Sequence, residues 1–390
     1  MKGPTPSRLY KYFVRRLRLG GYLEEPGDGR SLPQIPASSL LWALILARVL
    51  RVASFHGVER LGQARPGALG LERPFGDDAL AYFTERLDPE GTRRALVSLL
   101  RRAKRNKAFD GSARIGLAVD GSGAGRSQKR TCRLCHAQGK GHGHRFAAIS
   151  VVGAGLDLPF DVEFYAPGEN ELTAAKRLLE RAVRNLGPRF ADYLVVDGLY
   201  AGSPFLHLAE DLGLPVVAAL KANLPELYQA ARRRFENTQP HARFEHNGGH
   251  VELWDADDFI AWHELRWPRV RVLRYRHVRP DGQVFDAYWL TNLPTRRIGP
   301  RALFLMAKSR WAIENQGFND AKNRYGLGHI PHHHPTSVVV DALLTFLAMG
   351  LERLYRLRYL RRGTHPPYSA MHFHVLLWLN LGDSEPYDTS

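Results

Sequence analysis

Residues 114–121 read RIGLAVDG and residues 193–198 read YLVVDG. Each is a short apolar run with the length of a buried strand, and each ends in Asp followed by Gly. In an open α/β sheet, ligands bind in the crevice beyond the carboxyl ends of the strands. A glycine after the acid lets a ligand or another backbone approach closely. A single Asp-Gly pair is an ordinary strand-ending turn. Two of them in one predicted sheet mark Asp120 and Asp197 as candidates for a shared site.

Working outward, the first strand is predicted to begin at Ala113. After an interrupted loop, residues 144–167 (HRFAAISVVGAGLDLPFDVEFYAP) give two further β-segments with a turn at Gly153 to Gly155. Residues 171–187 (ELTAAKRLLERAVRNLG) place Leu172, Ala175, Leu178, Leu179, Ala182 and Leu186 at helical spacing, and Gly187 ends the helix. YLVVD follows as a fourth strand. Next come a helix capped by Ser203 with Pro204 at its first position, and the strand PVVAALK. Strands alternating with helices imply right-handed crossovers and parallel pairing. Three β-segments followed by α-β-α-β is the order of a ribonuclease H-like (RNase H-like) core, which places the chain in the α/β class with residues 113–222 as the first part of that core.

The flanks read differently. Residues 1–112 form an N-terminal helical region. SSLLWALILARVLRVASF (38–55) is a buried helix with Ser38 or Ser39 as its cap, and a second helix runs from about Asp77 to Leu87. A third, from about Gly91 to Lys107, turns Leu96, Leu99 and Leu100 inward and a basic face outward, which suits either solvation or a DNA backbone. Residues 223–295 interrupt the alternation with a helix and then β-like segments, HVELWDA, RVRVLRYRHV and VFDAYWLTNLP, with PDGQ at 280–283 as a hairpin signal. This reads as a β-rich insertion. Residues 296–362 return to helix, and residues 363–390 form a tail.

Composition narrows the partners. The 390 residues carry 55 Lys and Arg against 39 Asp and Glu, a net charge of +16, which suits a polyanion such as nucleic acid or a membrane surface. The longest apolar run, Leu40 to Ala47, stops at Arg48, far short of the ~20 residues a membrane span needs. That argues against a membrane partner. The basic start, MKGPTPSRLYKYFVRRLRLGG, lacks the apolar core of a signal peptide. The cysteines are Cys132 and Cys135, a usage that fits a reducing cytoplasm.

A third acid emerges at Glu314, four residues after Arg310 and hence on the same helix face, beside Ile313 in an apolar stretch. An ordinary surface ion pair is the plain alternative. Three carboxylates offer oxygen-only ligation, which suits Mg²⁺ with its waters and substrate phosphates. A pair of such ions activates a water and stabilises the leaving oxygen of a phosphodiester, and a basic protein around the acids lets DNA approach.

RWAIENQGFNDAKNRYGLGH (310–329) resembles the Glu-bearing helix of bacterial insertion-sequence DDE transposases, and LAVDGSG and VVDGLYAG resemble the two Asp-bearing strands of that family. GDGRSLPQIPASSLLWALILARVLRVASFHGVERL resembles its N-terminal helical region, so the likeness spans about residues 28 to 350. The resemblance implies an RNase H-like catalytic core with a β-rich insertion before the Glu. It also implies that Asp120, Asp197 and Glu314 hold two Mg²⁺ ions (or Mn²⁺), and that Arg310 and Lys322 contact DNA phosphates. The chain departs from the related Tyr, Arg, Glu, Lys signature in two places. Ala307 stands where the Tyr is expected, and Lys322 follows Glu314 by eight residues rather than seven.

The function this implies is metal-dependent hydrolysis and strand transfer at transposon-end DNA, by a homodimer in a cytoplasmic, nucleoid-associated setting. The alternatives are a domesticated RNase H-like nuclease and a catalytically decayed basic DNA-binding protein. Weaker signals remain. Cys132 and Cys135 with His142 and His144 have the composition of a structural Zn²⁺ site, against a free Cys pair in a mobile loop. His332, His333 and His334 read as a polar loop near DNA, with His329 nearer the active site. Trp254, Trp262, Trp267 and Trp289 should mostly be core, with Trp289 the candidate to stack on an unpaired base. Lys221 ends its strand either solvated or in reach of phosphate.

Overall fold

The computed structural model describes residues 3–111, 114–360, 369–382 and Tyr387. The predicted strand start at Ala113, the 112/113 boundary and much of the 363–390 tail lie outside the described residues, although the tail includes a helix at Ala370–Leu379.

Ten strands form one sheet. They are β1 (Gly116–Ser127), β2 (Cys135–Gln138), β3 (Gly141–Val152), β4 (Leu158–Tyr165), β5 (Tyr193–Val196), β6 (Val216–Leu220), β7 (Ala242–His246), β8 (Gly249–Phe259), β9 (Val270–Val278) and β10 (Val284–Thr291). The order across the sheet is β2-β3-β1-β5-β6-β10-β9-β8-β7, with β4 also on β3. β1, β5 and β6 are parallel, joined through the helices Glu171–Leu186 and Ser203–Asp211, and the remaining pairs are antiparallel. The α/β class matches the reading of residues 116–220, and the β-β-β-α-β-α-β order recurs with one addition, the short β2 within the segment read as an interrupted loop.

Three details depart from the sequence expectation. First, β1 does not end at Asp120. β3 is long enough to pair with it from Gly116↔Val152 to Ser127↔His142, whereas β5 has four residues and its pairing stops at Val119↔Val196. One edge of β1 therefore opens at Asp120 while the other stays paired. Second, the 223–295 segment continues the central sheet, because β10 pairs with β6 from Tyr288↔Leu220 to Thr291↔Val217. Third, two caps shift. The helix Ala37–Val49 starts after Pro36 rather than at a serine, and Gly202 precedes the helix Ser203–Asp211, leaving the Ser203 hydroxyl to accept from Trp262 Nε1 at 2.7 Å.

The helix Glu171–Leu186 illustrates how local chemistry sets an element. Asn170 caps it by accepting from Thr173 N–H at 2.9 Å, its apolar stripe is buried, and Gly187 (φ 89°) ends it in a conformation open to glycine. The long helix Pro335–Tyr359 is buried on nearly all sides between β4 and the N-terminal helices Ala37–Val49, Asp77–Arg86 and Pro89–Arg105. Among its polar groups, Asp341 pairs with the buried Arg48, Ser337 with Thr84, and Glu352 with the Tyr325 hydroxyl. The basic face of Pro89–Arg105 also has structural work. Arg93 reaches the buried Asp161 at 2.9 Å, and Arg101 and Lys104 each donate to backbone carbonyls, of Asn185 and Phe190, at 2.7 Å. No helix among the described residues is long and apolar enough to cross a membrane.

Candidate functional site

Asp120 and Asp197 follow the last parallel pair, Val119↔Val196, on neighbouring strands. Adjacent strands lie about 5 Å apart, so the two acids share one crevice. Asp120 stays in β1 opposite Ala148, and Asp197 leads into a short 3-10 turn, Gly198–Tyr200. Gly121 has a more particular reason than the general one offered by sequence. A Cβ at this position would sit 1.9 Å from a Glu171 carboxylate oxygen, so only glycine leaves room for that acid. Glu171 opens the helix Glu171–Leu186 and accepts from the Tyr200 hydroxyl at 2.6 Å. The sequence reading missed it. Its signal, a glycine beside Asp120, was visible, but the side chain needing the space comes from 50 residues away.

Glu314 arrives from a segment that is not a regular helix. The helix Pro300–Lys308 ends before Arg310, residues Ile313–Phe318 form a π-turn, and α-helix resumes over Asn319–Arg324. A π-turn takes up one extra residue per turn, so a side chain eight positions on occupies the place that the seventh holds in a plain α-helix. That accounts for the spacing of Lys322. Its ammonium reaches the Ser122 hydroxyl at 2.8 Å, two residues beyond Asp120.

Arg310 joins the acids. Its Nη1 lies 2.7 Å from Glu314 Oε1 and 3.4 Å from Asp120 Oδ2, so one guanidinium nitrogen serves carboxylates from β1 and from the π-turn. Arg310 is only 8% exposed and packs beside the Trp311 ring, so a phosphate contact would require it to leave these partners. Lys221 occupies the other side, 2.7 Å from Asp197 Oδ1, as an exposed ion pair rather than a free strand-end cation.

The field is crowded with negative charge. Burial, followed by Glu314 and Glu171, pushes the Asp120 carboxyl up to about 7 against the opposing pull of Arg310. Burial pushes Asp197 upward too, but Lys221, the Gly198 backbone and Arg310 outweigh it and hold the acid below its ordinary value. The donors are all carboxylate oxygens, and burial makes the charged form of Asp120 costly unless more positive charge is supplied. Both features fit a hard divalent cation.

The other predicted residues separate. Trp289, proposed to stack on a base, is 2% exposed, with its ring edge-on to Trp311 at 5.9 Å. The sheet continuity through β6 and β10 buries it, so it is a core residue. His329 lies in an exposed turn closed by its N–H to Gly326 O at 2.9 Å, and has no direct contact with the acids among the described residues. His332 bonds Glu85 at 2.7 Å.

The Cys-His segment does form a cluster, but not with the expected members. Cys132, Cys135 and His144 have ligand atoms all within 4.8 Å of one another. His142 is excluded by register. Cys135 pairs directly with His144 across β2 and β3, while His142 lies opposite Ala137, two residues or about 7 Å along the strand. His333 stands beside this group, with Nδ1 3.8 Å from Cys135 Sγ. Burial, His333 and His136 bring His144 down to about 4, so its ring is neutral at physiological pH.

A sheet edge that opens between two aspartates, with a glutamate brought in from a following helical segment, defines a class of acid-centred RNase H-like proteins. Residues 111–351 match the family model described as Transposase DDE domain. That match covers most of the chain, and the chain belongs to this family. Among solved structures, the cryo-EM structure of a piggyBac transposase synaptic complex with hairpin DNA is similar at 10% identity and a TM-score of 0.46, over 97% of this chain and 80% of that one. No curated protein matches.

Proposed function

We propose that this transposase-family chain cleaves phosphodiester bonds at the ends of a mobile DNA element and joins the freed 3′ end to target DNA. The observation that carries this reading is the sharing of Arg310 Nη1 by Asp120 and Glu314, beside Asp197. Asp120, Asp197 and Glu314 would hold Mg²⁺ or Mn²⁺, which when bound supplies Lewis acidity to an attacking water or hydroxyl and to the leaving oxygen.

The chain's own residues then have distinct tasks. Asp120, beside Glu314 and Glu171, takes the positive charge that Arg310 supplies. Arg310 holds Glu314 and Asp120 in one place, and exchanges them for phosphate only as DNA enters. Lys322, beside Ser122, and Lys221, beside Asp197, flank the acids and meet the DNA backbone, and Glu171 with Tyr200 buttresses Gly121 behind Asp120. Residues 113–222 and 296–362 act as the halves of the core, 223–295 as an insertion extending its sheet, and 1–112 as a helical region whose helices pack on Pro335–Tyr359. A homodimer would bring two element ends together, in a cytoplasm where the DNA is accessible.

The test is nicking and strand transfer on DNA carrying the element's own terminal repeats, in Mg²⁺. Asp120→Asn, Asp197→Asn and Glu314→Gln, each shown to be folded, should lose at least about 100-fold, the scale on which catalytic groups act. Wild-type rates in all three folded variants would overturn the proposal. Light scattering of the DNA complex should show two chains.

A further inference from the structure

We propose that Cys132, Cys135, His144 and His333 hold a structural zinc ion that pins the β1–β3 hairpin to the segment following the Glu314 helix. The proposal does not rest on the reading of the acidic site.

The geometry is the first argument. Zinc binds thiolate at about 2.3 Å and imidazole at about 2.0–2.1 Å, so a tetrahedral site needs S···S near about 3.8 Å and S···N near about 3.6 Å. The sulfurs of Cys132 and Cys135 are 3.9 Å apart. His144 Nε2 lies 3.2 Å from one and 3.4 Å from the other, and His333 Nδ1 lies 3.8 Å from Cys135 Sγ. A disulfide would need the sulfurs about 2.05 Å apart. The spacing of Cys132, Cys135 and His144 matches ligands around a common centre, and His333, beside Cys135, is the side chain at hand to complete it.

The surroundings are the second. His144 is fully buried, and its Nε2 points at both sulfurs. The Cys132 N–H donates to Cys135 Sγ at 3.3 Å, which closes the turn that holds the two sulfurs on one side. The competing histidines are engaged elsewhere: His136 with the Tyr165 carbonyl at 2.8 Å, and His332 with Glu85.

The consequence is the third. His144 is in register with Ala124, four residues along β1 from Asp120, while His333 lies between the Glu314 segment and the helix Pro335–Tyr359. Ile330 already packs onto Gly125, where a Cβ would come within 2.2 Å of it. Zinc would lock that approach, binding as two thiol protons pass to solvent.

The full-length protein, purified reduced and without chelator, should carry about one zinc per chain. Cobalt substitution should give the intense visible bands of a tetrahedral ion together with thiolate charge transfer, and Cys132→Ser should diminish the latter. Because that variant can fail to fold, the deciding pair is His333→Ala and His142→Ala, each checked by circular dichroism. His333→Ala should weaken zinc at least about tenfold, the least that even an outer-shell partner costs, and His142→Ala should leave it unchanged. Chelation should increase hydrogen exchange in residues 128–140 and 329–334 but not in β5 or β6. Wild-type protein with neither zinc nor cobalt charge transfer would overturn the site. Zinc retained by His333→Ala, or lost by His142→Ala, would overturn the ligand set, and unchanged exchange on chelation would overturn the pinning role.

Discussion

Arg310 Nη1 donates to Glu314 Oε1 at 2.7 Å, four residues along the same segment, and the same nitrogen lies 3.4 Å from Asp120 Oδ2. An i,i+4 pair on a surface helix contributes little. Here the arginine is buried, and the third partner comes from a strand 190 residues earlier. The contact therefore reports on tertiary placement of the Glu segment against the sheet.

Arg310→Met should destabilise the protein by about 1–3 kcal/mol at pH 8, the cost of leaving a buried hydrogen-bonding group unsatisfied. The loss should be smaller at pH 5, where Asp120, with its carboxyl raised to about 7, is already protonated. Urea denaturation at the two pH values, in chelator, measures both. An equal loss at each pH would contradict the coupling to Asp120.

Asp120 should also make stability depend on pH in its own right. Its folded-state value of about 7 lies above the ~3.9 of an unfolded Asp. A group raised in this way contributes stability that is fully present below pH ~4 and is lost as pH rises through 7. Asp120→Asn stays neutral throughout, so in chelator its melting temperature should gain on that of the wild type between pH 4 and 7.5. A constant difference would mean that Asp120 does not titrate in this window.

Lys322→Gln should weaken DNA binding and reduce the slope of log affinity against log salt by about 0.9, the share of one phosphate contact. Fluorescence anisotropy over a salt series reads the slope directly. An unchanged slope would confine Lys322 to its bond with Ser122.

Trp289→Ala should cost about 3–5 kcal/mol in stability, as for other large aromatic deletions in a packed core. Its salt slope for DNA should match the wild type at temperatures where it remains folded. A stable variant with impaired single-strand binding would return Trp289 to a stacking role.

Asp161 is 3% exposed and sits between Arg93 and Arg181, at 2.9 and 2.8 Å. Asp161→Ala leaves two arginines facing each other where the helix Pro89–Arg105 meets β4, and should cost about 3–5 kcal/mol in calorimetry.

What the sequence determined by itself was everything carried by short-range pattern. Apolar runs ending in Asp-Gly located Asp120 and Asp197. Helical periodicity and Gly187 bounded the helix between them, and the order of elements defined the α/β core. These signals are local because burial selects side chains with the period of the backbone itself. Tertiary structure alone decided the rest. It decided that β1 runs past Asp120, because the lengths of β3 and β5 are independent of it. It buried Trp289 by pairing β10 with β6, and brought Glu171 under Gly121. It exchanged His142 for His333 beside the cysteines through strand register and a return of the chain from nearly 200 residues away. It also absorbed the eight-residue spacing of Lys322 into a π-turn, which leaves Lys322 in reach of Ser122. Each of these depends on distances between atoms far apart in the chain, which no window of sequence contains.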